Sequence, residues 1–298
     1  MSGSDGTDTS RRPRRWGRWL LKRLLGVAVV LGITFLSRVF IERRLFYFPD
    51  RAVGPVPLGV EAVRFESSDG MMLSGWWMPP AGYRASAGPM PAVVHAHGNA
   101  GNVESHAGIS SFLTSYGFGV LVFDYRGYGA SDGGRGDLRR ERLVEDTIAA
   151  VRYVRSREDV DASRVGLMGQ SLGVSFAATA AARLGDVPAV ALVSGFASWK
   201  GIARDHAGVF GTMLMRGGVD TRDAMARLGA TPVLVVHGTA DEIVPVHHAE
   251  RIVDAARSAG VPVEQILLDG ARHNDAPEMH PAMTDGMAAF FASHLAGD

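Results

Sequence analysis

The chain has 298 residues, 46% hydrophobic and 21% charged, which excludes a disordered segment and a polytopic membrane protein. Its 31 basic residues balance 31 acidic ones, so no net field recruits nucleic acid or other polyanions. It contains no cysteine, which excludes disulfides, thiol catalysis and cysteine-ligated metal sites.

Residues 1–18 read as a polar, basic tail. Seven cations (Arg11, Arg12, Arg14, Arg15, Arg18, Lys22 and Arg23) precede 14 uncharged, mostly apolar residues at 24–37. That run is shorter than the roughly 18–20 residues needed to span a bilayer. Trp19 to Leu21 and Val39 to Ile41 extend it, and arginine stems can snorkel, so 19–41 is expected to be an uncleaved transmembrane anchor. A secretion signal shares this plan, but no small-x-small cleavage site lies near Ser37. Fewer cations follow the run (Arg38, Arg43, Arg44) than precede it. The positive-inside rule then puts the N-terminus in the cytoplasm and the bulk of the chain outside.

Residues 42–59, with Pro49, Pro55 and Pro57, read as a linker to a catalytic domain at 60–298. Strands are expected at 60–66, 72–78, 92–97, 119–124, 165–168, 187–193, 232–237 and 261–268. Helical periodicity falls at 102–116, 138–156, 172–184, 246–259 and 281–295. Continuous Val/Leu/Ala strands alternating with helices imply an α/β fold with a mostly parallel sheet buried on both faces. The rhythm breaks at about 195–230, which is expected to be a cap insertion.

Gly-x-Ser-x-Gly occurs twice, around Ser171 and around Ser131. Ser171 follows a strand and opens a helix, as a nucleophile elbow requires, whereas Ser131 runs into Gly133-Gly134-Arg135-Gly136 with no helix behind it. Serine needs a base and the base an orienting acid. His273 and Asp241 each follow a late strand, where an α/β sheet assembles its site, with Glu242 the rival acid. The Leu172 amide at the helix start and the Asn99 amide in His97-Gly98-Asn99-Ala100-Gly101-Asn102 are the expected oxyanion donors, Ala100 being the alternative to Asn99. His95 and His97 share a strand face as zinc ligands would, but no His-Asp continuation follows. Neither glycine-rich stretch completes a phosphate-loop or dinucleotide pattern.

The chain resembles serine hydrolases of the α/β-hydrolase superfamily, and within it the membrane-associated branch that contains protein depalmitoylases. The matching residues are Phe46-Tyr47-Phe48-Pro49, Trp76-Trp77-Met78-Pro79, 97–102, Asp124-Tyr125-Arg126-Gly127-Tyr128-Gly129, 169–173, His237-Gly238-x-x-Asp241 and Gly270-x-x-His273-Asn274-Asp275. Two departures stand out. Val174 sits where relatives often carry glycine, and the cysteines through which depalmitoylases attach are missing.

The resemblance implies two-step acyl transfer on an ester or thioester without cofactor or metal. The expected substrate is a small molecule, a lipid or an acylated protein, with Phe196, Trp199, Phe210, Met213, Leu214 and Met215 of the insertion lining the acyl pocket or packing the cap. Two rival readings are a prolyl-oligopeptidase-like peptidase, whose usual propeller finds no room in some 45 preceding residues, and a non-catalytic binding protein on the same fold.

Overall fold

Gly119–Asp124 and Val190–Val193 are apolar almost throughout, and every residue of both strands is buried. Such strands need cover on two faces. The computed structural model describes residues 13–84, 86, 88–275 and 277–297, without the side chains at 13–16, 31, 34–37 and 278. Residues 1–12 of the tail expected at 1–18 lie outside the described residues, and 13–18 begin a helix.

The chain opens with α1 (Pro13–Leu45), β1 (Phe48–Pro49), β2 (Glu61–Glu66), β3 (Met72–Met78), β4 (Met90–Ala96) and β5 (Ala100–Gly101). Then come α2 (Val103–Ser111), β6 (Gly119–Asp124), α3 (Arg140–Arg155), β7 (Val160–Gln170), α4 (Gly173–Leu184) and β8 (Val190–Val193). The last third holds α5 (Trp199–Leu214), α6 (Thr221–Met225), β9 (Val233–Gly238), α7 (His247–Ser258), β10 (Val263–Leu268) and α8 (Pro281–His294).

Eight strands form one sheet in the order β10-β9-β8-β7-β4-β6-β3-β2. Pairing is parallel from β10 to β6, and β3 alone runs antiparallel to both its neighbours. The two-residue strands β1 and β5 make a separate parallel pair. Alternation along the strands divides the core: Val94, Leu121 and Leu167 meet α3 and α4 on one face. Val93, Val122 and Met168 meet α2 and α8 on the other. This is the α/β-hydrolase architecture. The loops after β4, β7, β8, β9 and β10 all leave the same edge of the sheet, where such folds build their sites.

The N-terminal region departs from expectation. One 33-residue helix runs from Pro13 to Leu45, with Leu20, Leu24, Leu25, Val27 and Ile33 exposed. No helix among the described residues is long and apolar enough to cross a membrane. Lys22 and Arg23 upstream and Arg38 downstream hold the uncharged run to 14 residues, short of the roughly 18–20 required. The transmembrane anchor expected at 19–41 is therefore, in the structure, the exposed middle of a long helix.

The stretch read as a linker is docked. Glu42 is buried against Arg140, whose Nε and Nη2 donate to its two carboxylate oxygens at 2.8 Å each. Tyr47 is fully buried, and Phe46 meets the Trp199 ring edge-on at 5.3 Å.

Candidate active site

Ser171 stands between β7 and α4 with φ +52°, a left-handed conformation that costs a non-glycine residue strain. The turn is held by Ser171 N donating to Val193 O at 2.8 Å on neighbouring β8. Its flanking glycines are obligatory. A Cβ on Gly173 would lie 2.0 Å from Ala96 O, and one on Gly169 would lie 2.7 Å from Val174 Cα. Strand and helix therefore close to a distance only glycine permits, and the serine hydroxyl is left at the apex.

His273 Nε2 lies 3.0 Å from Ser171 Oγ, and its Nδ1 lies 2.7 Å from Asp241 Oδ2. The Asp241 side chain is fully buried, and its Oδ1 accepts from the amides of Ile243 (2.9 Å) and Val244 (2.7 Å). Those amides hold the carboxylate in place and aim its other oxygen at the imidazole. Glu242, the rival acid, faces solvent and pairs with Arg272 at 3.1 Å; a backbone hydrogen bond and then this arginine hold its carboxyl below the usual range. The structure thus joins Ser171, His273 and Asp241 into one hydrogen-bonded chain and leaves Glu242 outside it.

Ser131 is spent structurally: its Oγ donates to Asp124 O at 2.6 Å and accepts from Ser74 N at 2.8 Å. Asp124 behind it is pushed up to about 7 by burial. Among the described residues the amides of Leu172 and Asn99 have no intrachain acceptor, which leaves both free to meet an oxyanion. The Asn99 carbonyl instead accepts from Phe48 N (2.9 Å) and Tyr128 Oη (2.8 Å).

His106 has a part here that the sequence reading missed. Its Nε2 lies 2.7 Å from Ala100 O and its Nδ1 2.8 Å from the Gln170 side-chain Oε1. Burial holds this imidazole below its usual range, so it carries one proton. Ala100 O can only accept, hence Nε2–H donates there, and the Gln170 amide must turn its NH2 toward Nδ1. A side-chain bridge so joins the oxyanion loop to the residue before the nucleophile. The available signal was helical spacing: Asn102 caps α2 through Glu104 N, so His106, one turn on, faces the same loop.

A cavity of about 680 Å³ opens over Ser171 and His273. Ile109 of α2 and Ile243, Leu268, Pro277 and Met283 give it apolar walls. The expected acyl-pocket residues of the insertion are elsewhere. Phe196, Trp199 and Met215 are buried in the main core, Phe210 and Met213 face solvent, and none of the six lines this cavity among the described residues. The reason is α5, which packs its first turns on α4 and the foot of α1 instead of folding over the sheet edge.

Asp205, His247 and His248 bring their donor atoms within 4.8 Å of one another, close enough to hold an ion. The donor set does not fit one. His248 Nδ1 accepts from Ala197 N at 3.2 Å, so the proton sits on Nε2, which donates to Asp205 at 2.8 Å. A ligating imidazole needs that nitrogen bare and its other N–H donating. His95 and His97 belong to no group of three or more ligating side chains among the described residues.

The profile of the prolyl oligopeptidase family matches residues 105–298. The uncharacterised protein YfhR of Escherichia coli K12 is 36% identical over 83% of this chain and 85% of its own length. Among solved structures, the Pyrococcus furiosus esterase Pf2001 superposes with a TM-score of 0.68 at 20% identity, covering 85% of this chain and 99% of the esterase. A Mycobacterium tuberculosis puromycin-hydrolyzing peptidase superposes at 0.66 with 22% identity, over 83% of this chain and 41% of that one. These matches support the α/β-hydrolase superfamily and not the narrower depalmitoylase branch. The prolyl oligopeptidase profile falls on the catalytic unit itself.

Proposed function

The chain belongs to the prolyl oligopeptidase family and is a serine hydrolase of the α/β-hydrolase fold, and from that premise we propose that it cleaves carboxylic esters or thioesters through an acyl-enzyme on Ser171. The observation that carries this reading is His273, hydrogen-bonded to Ser171 Oγ and Asp241 Oδ2 at once beside an apolar-walled cavity. His273 Nε2 takes the hydroxyl proton as Ser171 Oγ attacks the acyl carbon. Asp241 stabilises the imidazolium that results. The Leu172 and Asn99 amides receive the oxyanion, an effect on the order of 3 kcal/mol per donor. His273 then gives its proton to the leaving alkoxide or thiolate, and water repeats the sequence to release the acid.

The apolar walls of the cavity, Ile109, Ile243, Leu268, Pro277 and Met283, suit the acyl chain of an ester or thioester. α1 is proposed to attach the chain to a membrane through its exposed apolar side chains. Its cations Arg18, Lys22 and Arg23 would meet the headgroups while those side chains lie in the interface. Lipids and acylated proteins are then substrates within reach.

The decisive experiment is fluorophosphonate labelling followed by turnover of an acyl-chain series of esters, thioesters and aminoacyl amides. Ser171→Ala should lose labelling and turnover together, by several orders of magnitude. Ser131→Ala should keep both. Labelling that survives Ser171→Ala, or faster turnover of the amides than of the matched esters, contradicts the reading.

A further inference from the structure

Residues 98–101, between β4 and α2, carry the Asn99 amide, and four consecutive carbonyls of this loop are each held. Gly98 O accepts from His97 Nδ1 at 2.8 Å, and Ala100 O from His106 Nε2 at 2.7 Å. Asn99 O accepts from Phe48 N at 2.9 Å and Tyr128 Oη at 2.8 Å, and Gly101 O from Asp50 N at 2.9 Å. A peptide unit is planar, with its N–H opposed to its C=O. The Gly98 carbonyl, held by His97, therefore shares its unit with the Asn99 N–H, and the Asn99 carbonyl, held by Phe48 and Tyr128, shares its unit with the N–H of Ala100, the alternative donor; a flip of either unit would turn a donor away.

Two of these five donors come from outside the catalytic domain as the sequence delimits it. Phe48 and Asp50 belong to the strap that follows α1, whose strand β1 pairs in parallel with β5 in the register Phe48↔Ala100 and Pro49↔Gly101. The strap is anchored on its own account. Tyr47 is fully buried, Tyr47 O accepts from Arg135 Nη1 at 3.0 Å, and Asp50 O accepts from Gly129 N at 2.9 Å. None of residues 46–50 lines the cavity. Their influence on chemistry can pass only through the loop they hold.

We propose that β1 and Asp50 are a positioning element of the oxyanion hole, tying catalytic geometry to the foot of α1. The proposal rests on the serine-hydrolase reading of Ser171. Tyr128 alone would hold Asn99 O without the strap, and Gly101 O would have no donor. The oxyanion exists only in the transition state, so a loosened loop lowers kcat while substrate binding is little altered.

The test uses the full-length chain and backbone N–H deletion. Phe48→Ala keeps the N–H, and Phe48→Pro removes it. The Phe48 side chain is half-exposed, so the pair differs chiefly in one hydrogen bond. Phe48→Pro should have about tenfold lower kcat than Phe48→Ala, a fraction of what a whole donor contributes, with KM within about twofold. Affinity for a trifluoromethyl ketone, whose adduct mimics the oxyanion, should fall in parallel with kcat. If Phe48→Pro melts well below Phe48→Ala, Asp50→Pro against Asp50→Ala reads the same effect at Gly101 O. Equal kcat and equal inhibitor affinity within a folded pair overturns the proposal. Turnover that survives Ser171→Ala instead overturns the serine-hydrolase reading and leaves a separate signature.

Discussion

Asp241 and Glu242 are adjacent in the chain and chemically alike, yet their surroundings differ completely. Asp241 is buried, braced by two amides and aimed at His273, while Glu242 sits in solvent on Arg272. Asp241→Asn should present an amide N–H to His273 Nδ1, impose the wrong tautomer and lower kcat by up to about 10⁴-fold. Glu242→Gln should lose only an exposed ion pair and leave kcat within about twofold. Steady-state kinetics on both variants decides the assignment, and a larger loss in Glu242→Gln would reverse it. His237 shows a similar selectivity. Burial lowers its pKa, its Nε2–H donates to Val244 O at 2.7 Å, and it braces the Asp241 loop without joining the proton path.

At the scale of elements, the departure at Val174 has a structural counterpart. A Cβ on Gly195 would lie 2.3 Å from Val174 Cγ2, so the valine on α4 is matched by a glycine after β8. The elbow keeps its close packing by exchanging which side is small. α1 poses the opposite problem, a helix with exposed apolar side chains along its middle and a foot locked into the domain by the buried Glu42–Arg140 pair. If α1 lies in a membrane interface, the full-length chain should co-sediment with anionic lipid vesicles through a high-salt wash, and Leu24→Asp with Leu25→Asp should release it. Equal sedimentation of the two proteins would leave the apolar face to be covered another way.

Across the whole molecule, stability should depend on pH through buried histidines. Burial holds His95, His97, His106, His237 and His248 below their usual range, His95 at about 3 and His248 at about 4. In the unfolded chain each titrates near 6.5. Between these limits the unfolded chain binds more protons, so stability rises with pH, is fully present above about 6.5 and is lost as pH falls toward the folded values. Asp124, pushed up to about 7, and Asp220, raised by burial, act the other way: the folded state holds their protons, and the contribution of Asp124 fades as pH rises from about 4 to about 7. Five groups oppose two. The melting temperature should be higher at pH 7 than at pH 5, with protons taken up on unfolding near pH 5.5 by calorimetry in buffers of different ionisation enthalpy. A melting temperature that peaks at pH 5 would show that the two acids dominate.

The α/β class, the strands and the order Ser171, Asp241, His273 were legible in the amino-acid order because they rest on local chemistry. Strands with no solvent face must be apolar throughout, an elbow must have glycine on both sides of its serine, and loops after strands must carry the polar residues. Three features waited for the tertiary structure because they depend on which surfaces meet. The insertion at 195–230 is apolar enough for either a pocket or a core, and only the packing of Trp199 on Phe176 and Phe46 chose the core. The proline-rich stretch after α1 reads as a linker until β1 is seen to pair with β5, 52 positions further along the chain. His106 is one more helical histidine until its ring is found between Ala100 O and Gln170. Hydrogen bonds between distant segments leave no periodicity in a sequence, because the partner of each group is fixed by the path of the chain through space.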